Sequence, residues 1–204
     1  MAIVLAALTP AAAGCSTGSD QDAGSPIAAV SSASSPYAGS ALVNPRTRPT
    51  FSLTDTGGAA FDFTARTAGQ PTLLFFGYTN CPDVCPTTMG DIGLALRDVP
   101  AAVAERTQVV FVTTDPARDT PPVLEEWLAH FDWELPQRFI GLTGTPAEVA
   151  AAQQASGVMV AEEEGTMHES TVLLYGPDDL ARVIFTNGFE PEEMSRDLQT
   201  VAGS

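Results

Sequence analysis

Two short runs constrain this chain most. Thr72–Gly77 (TLLFFG) and Gln108–Thr113 (QVVFVT) carry apolar residues at consecutive positions instead of alternating them with polar ones. A strand of that composition is covered on both faces, the condition of a partly parallel sheet packed between helices. The segments that follow each run read as helices, Thr88–Arg97 and Val123–Phe131. A third helix opens on Thr145-Pro146-Ala147-Glu148 and runs to about Ser156, with a capping box and proline at its first position. Phe139–Leu142 predicts a short strand and Val158–Ala161 an edge strand. Ahead of these, Phe51–Thr54 and Ala59–Thr64 flank Asp55-Thr56-Gly57-Gly58 and read as a hairpin. Thr171–Tyr175 and Arg182–Thr186 flank a turn at Gly176–Asp179. A closing helix from Pro191 puts Met194, Leu198 and Val201 on one side. Strands alternating with helices imply one layered α/β domain.

The closing hairpin plus helix is how thioredoxin-like domains end. The expected fold class is therefore α/β, a thioredoxin-like fold with an extra N-terminal β-hairpin. The chain has 204 residues, 44% of them hydrophobic, enough for one core and a tail. Nine basic residues stand against 25 acidic ones, a net charge of −16. Such a surface repels phosphate, so no nucleic acid is expected as a partner.

Residues 2–13 (AIVLAALTPAAA) are apolar and small, and Gly14 and Cys15 follow. This reads as the end of a secretory signal. Ala12-Ala13-Gly14-Cys15 resembles the lipobox of bacterial lipoproteins. That resemblance implies lipidation at Cys15, and with it a membrane anchor on the outer face of the bacterial cytoplasmic membrane. The competing reading is an Ala-rich terminus with a spare thiol. Residues 16–44 hold eight Ser, six Ala and three Gly, with no Lys or Arg, the composition of a flexible linker. The expected organisation is a signal-peptide remnant over 1–14, lipobox Cys and linker over 15–44, and the folded domain over 45–204.

Two of the three cysteines sit together in Tyr78-Thr-Asn-Cys81-Pro-Asp-Val-Cys85-Pro86, between the first long strand and its helix. Pro86 disfavours helical angles at Cys85 and suits the first helical position. That places Cys85 near the N-cap, where the helix dipole stabilises a thiolate. Three residues separate the cysteines, one more than in the usual redox motif. The wider loop lets the two sulfurs converge on each other or on one ion. His168 stands just before the strand Thr171–Tyr175, in the loop that faces the cysteines in a thioredoxin-like fold, where no proline stands in this chain. His130, at the end of a helix, reads as a surface residue. Two thiolates and an imidazole form a soft donor set that suits copper; structural zinc prefers four N/S ligands. Asp115, at the end of QVVFVT, has two readings, a carboxylate behind the ligands or the turn residue before Pro116, and the turn is preferred. Arg118 and Asp119 read as partners that order this loop, and Glu162–Glu164 as a solvated face.

TLLFFGYTNCPDVCPTTM, Val112-Thr-Thr-Asp115-Pro-Ala-Arg-Asp119-Thr-Pro121, and the His168 loop followed by TVLLYGPDD resemble the SCO/SenC family over about residues 50–203. The resemblance implies a thioredoxin-like fold and one copper ion held by Cys81, Cys85 and His168. It also implies a role in delivering copper to cytochrome c oxidase. The expected partner is the copper-site subunit of that oxidase or another copper chaperone. On this reading the chain carries a metal and is not an enzyme. Two alternatives stay open: a thiol-disulfide oxidoreductase that keeps copper-site cysteines reduced through Cys81 and Cys85, and a copper buffer or redox sensor.

Overall fold

The computed structural model describes residues 35–160 and 170–203. Cys15, His168 and the signal-like segment lie outside the described residues, as do most of the linker and Ala161. In chain order the elements are β1 (Ser40–Thr47), β2 (Ser52–Asp55), β3 (Ala60–Asp62), α1 (Phe63–Thr67), β4 (Thr72–Gly77), α2 (Val84–Asp98) and α3 (Ala101–Ala104). They continue with β5 (Gln108–Thr113), α4 (Pro121–Asp132), β6 (Ile140–Thr143), α5 (Pro146–Ser156), β7 (Thr171–Tyr175), β8 (Leu180–Thr186) and α6 (Pro191–Ala202).

The strands form one eight-stranded sheet in the order β1-β8-β7-β4-β5-β6-β2-β3. β4, β5 and β6 are parallel, and Phe75 stands opposite Phe111. The other pairings are antiparallel. The two apolar runs are thus the central parallel pair, buried on both faces as their composition requires. Leu73, Phe75, Val109 and Phe111 meet α2, α4 and α6 on one face, through Met89, Ile92, Leu124 and Leu198. Leu74, Phe76, Val110 and Val112 face the other way, toward Phe63, Val149 and Ala152. The predicted hairpin forms as β2 and β3 and extends the sheet beyond β6.

Topology gathers several chain segments at one sheet edge. The C-terminal ends of β4, β5 and β6 lie there. β7 runs antiparallel to β4, so its first residue, Thr171, is at the same edge. β8 returns parallel to β4, and β1 runs against β8 with Ser40 opposite Ile184, so the chain also enters the domain there. Ala38 and Gly39 donate their N–H groups to the Asp197 carboxylate of α6, at 2.8 and 2.9 Å.

Four expectations are corrected. The domain begins before residue 45: Ser40–Thr47 is a strand, and Tyr37 packs on the core. A Ser/Ala/Gly composition hid this, because an edge strand needs backbone pairing more than large side chains. Ala59–Thr64 is a strand only to Asp62; there the Asp62 side chain accepts the Ala65 N–H and starts α1. Val158–Val160 is not a strand. Gly157 takes a left-handed conformation that ends α5, and the Gln153 side chain takes up the Met159 carbonyl. Finally α2 starts at Val84, so Cys85 is helical and Pro86 is third in the helix. Its missing N–H costs nothing there, since the first four helical N–H groups have no intrahelical acceptor.

One buried residue went unread in the sequence. Arg48 sits under Phe63 and Tyr175 and donates to Asp179, Thr67 and the carbonyls of Gln70 and Gly176. It joins β1 to the β7–β8 turn at the edge opposite the cysteines.

Candidate metal centre

The site grows out of the strand-to-helix turn at the end of β4. Tyr78 is buried against the core, and its carbonyl accepts the Cys81 N–H at 3.3 Å, closing a turn over Thr79 and Asn80. Cys81 is half-buried and Cys85 fully buried; both are reduced thiols. Gly77 lies directly beneath the second sulfur. A Cβ there would come 3.0 Å from the Cys85 Sγ and 3.0 Å from the Phe111 ring, so a side chain at this position would crowd the sulfur.

The start of α2 assigns the two thiols unequal tasks. Asp83 occupies the N-cap but makes no side-chain cap hydrogen bond. The Cys85 N–H donates instead to the Cys81 Sγ at 3.3 Å, so a sulfur caps the helix. Burial pushes the Cys81 thiol up, but this N–H, the Cys85 thiol, the Asp83 N–H and the Tyr78 hydroxyl outweigh it and hold Cys81 below its ordinary value. Burial drives Cys85 far above the ordinary value. The Tyr78 N–H offsets this only in part, and the nearby Cys81 and Asp119 push the same way. The expectation that Cys85 is the stabilised thiolate is therefore reversed: Cys81 receives the helix N–H, and Cys85 is too deep for the dipole to offset its desolvation.

A second loop, after β5, braces the first. Asp119 is fully buried and accepts from the Thr79 N–H at 2.9 Å, from the Thr79 hydroxyl, and from the Thr113 hydroxyl at 2.6 Å. The Thr114 N–H reaches the Gly77 carbonyl at 2.7 Å. Asp115 is the residue that builds this turn. Its carbonyl accepts the N–H groups of Arg118 and Asp119, and its carboxylate pairs with the Arg118 side chain. The loop-ordering roles expected for Arg118 and Asp119 are present, and Asp119 is the one bonded to the cysteine loop. His130 is exposed at the end of α4, with its ring against the Trp127 carbonyl.

Among the described residues no three His, Cys, Asp or Glu side chains converge as a metal cluster. The third expected donor, His168, lies outside those residues. What the described residues supply is a pair of thiols in hydrogen-bond contact at a helix N-terminus, on a glycine-floored turn at the carboxyl end of a parallel sheet. That edge is where α/β proteins build their sites.

The fold and the cysteine turn define a thioredoxin-like protein with a Cys-x-x-x-Cys site. The sequence model of the SCO1/SenC family matches residues 40–203, and the chain belongs to that family. It is 40% identical over 103 residues to protein SenC of Rhodobacter capsulatus, covering 50% of this chain and 43% of that one. Among solved structures it resembles Bradyrhizobium japonicum ScoI with copper bound, at TM-score 0.62 and 33% identity, over 76% of this chain and 99% of that one. It also resembles yeast Sco1 with copper bound, at TM-score 0.67 and 27% identity, over 78% and 90%.

Proposed function

We propose that this protein is a membrane-tethered copper carrier that helps load cytochrome c oxidase, binding one ion through Cys81, Cys85 and His168. The observation that carries the reading is the Cys81–Cys85 contact at the α2 N-terminus. Two thiols held together, one already accepting hydrogen bonds as a thiolate would, form a soft donor pair suited to Cu(I). The pairing of β7 with β4 supports the third ligand. Thr171 opens β7 at the site edge, and a residue three positions earlier can lie no further than about 11 Å from it along the chain. The copper-bound relatives support the metal, and the SCO1/SenC match supports the oxidase as destination. Asp115 orders the neighbouring turn and is not assigned to the ion.

Lipidation at Cys15 supplies the tether in this reading. β1 itself begins at the site edge, with Ser40 opposite Ile184. The acceptor is a copper-site subunit of the oxidase, or a further chaperone, at the outer face of the bacterial cytoplasmic membrane.

The unequal thiols favour a second reading, a thiol-disulfide oxidoreductase. An accessible Cys81 of lowered pKa would attack a disulfide, and buried Cys85 would then close the Cys81–Cys85 bond and release the reduced substrate. His168 separates the two. In cells lacking the native protein, His168→Ala should fail to restore oxidase activity if copper is carried. Full restoration would favour the oxidoreductase.

A further inference from the structure

We propose that Asp119 is the positioning residue of the cysteine turn, fixing through Thr79 the backbone that brings Cys81 onto the N–H of Cys85. The inference rests on the reading of Cys81 and Cys85 as the metal-binding pair, but its geometry stands on the metal-free protein. A carboxylate with no exposed surface is costly unless it is paired or fully hydrogen-bonded. Among the described residues no Lys or Arg forms an ion pair with Asp119; Arg118, its neighbour, is engaged by Asp115. Every side-chain contact of Asp119 is instead a donor, the Thr79 N–H, the Thr79 hydroxyl and the Thr113 hydroxyl. The two carboxylate oxygens satisfy all three donors at once, and of these the Thr79 N–H is the one that cannot also accept. An amide of the same shape would turn an NH2 toward one of them.

The placement of those donors gives the carboxylate its role. Thr113 ends β5 opposite Gly77, which ends β4, so one partner belongs to the rigid sheet. Thr79 belongs to the turn closed by the Cys81 N–H on the Tyr78 carbonyl. Asp119 itself is held by its own N–H on the Asp115 carbonyl, just before Thr120 and α4. The cysteine turn is therefore tied to the sheet and to α4 through one buried group, from a loop that supplies no thiol. Releasing it frees the turn without removing a ligand.

The test uses Thr79→Val, which deletes one donor at nearly constant volume, Thr79→Ser, which keeps both, and Asp119→Asn. In the metal-free reduced protein, hydrogen exchange at the Thr79 amide and alkylation of Cys81 by iodoacetamide are measured beside the thermal midpoint. Cu(I) affinity is then measured against a competing chelator. Thr79→Val and Asp119→Asn should each speed exchange at Thr79 about tenfold and weaken Cu(I) binding about tenfold, the scale of one lost hydrogen bond. The Thr79→Val midpoint should fall by no more than about 2–4 °C, and Thr79→Ser should behave as wild type. Should Asp119→Asn fail to fold, Thr79→Val decides. Wild-type exchange, alkylation and affinity in Thr79→Val would overturn the proposal. So would changes in Thr79→Ser equal to those in Thr79→Val. If the wild-type protein itself bound no Cu(I), the copper reading would fall, while the metal-free rates would still decide the role of Asp119.

Discussion

The Cys85 backbone N–H donates to the Cys81 sulfur at 3.3 Å, so one cysteine caps the helix whose first turn contains the other. The contact makes the pair chemically unequal, with Cys81 half-buried and shifted toward the thiolate and Cys85 buried and shifted toward the thiol.

Alkylation should follow that order. In the reduced metal-free protein, iodoacetamide should modify Cys81 first, at a rate that rises with pH through a midpoint below that of an ordinary cysteine. Cys85 should stay unmodified across the same range. The sign for stability follows: a thiol whose folded pKa is depressed contributes stability above its unfolded pKa and loses it as pH falls through the folded value. Peptide mass mapping at several pH values checks the order, and labelling of Cys85 ahead of Cys81 would contradict it.

The glycine beneath Cys85 gives a packing prediction. Gly77→Ala places a Cβ at 3.0 Å from the Cys85 sulfur, 3.0 Å from the Phe111 ring and 3.2 Å from Phe75. Phe75 and Phe111 are fully buried and cannot retreat without disturbing the sheet. The variant should lose about 1–3 kcal/mol, the usual range for overpacking a core. Urea unfolding of the reduced protein measures this, and unchanged stability would show that the floor of the site yields.

What was legible in the sequence follows a physical pattern. β4, β5 and β7 match their predicted limits because continuous apolar runs admit few alternatives. α5 matches because Thr145 and Glu148 form the capping box they spell. The cysteine turn was legible as a site because a Cys pair at a strand-to-helix junction is uncommon in a chain with three cysteines. The assignment of the thiolate was not. It depends on which residue is the first helical one, and Pro86 suggested a later start than the chain takes. β1 escaped for a different reason: its residues pair through backbone with β8 and carry little hydrophobic signal. Arg48 and Asp119 are buried by partners far along the chain, Asp179 and Thr79, which no local pattern announces.

The tether has its own test. With Cys15 lipidated, the full-length protein should fractionate with membranes, and Cys15→Ser should release it while leaving Cu(I) binding unchanged. A wild-type protein found wholly in the soluble fraction, with residue 15 unmodified by mass spectrometry, would contradict the anchor.

The most direct measurement is a Cu(I) titration of the reduced domain against a competing chelator, comparing wild type with Cys81→Ser, Cys85→Ser and His168→Ala. The account predicts one tightly held ion in the wild type. Either serine variant should lose tight binding, because two thiolates dominate a soft site. His168→Ala should bind more weakly than wild type, with an altered absorption of the loaded form. Wild-type affinity in either serine variant would contradict a site shared by Cys81 and Cys85.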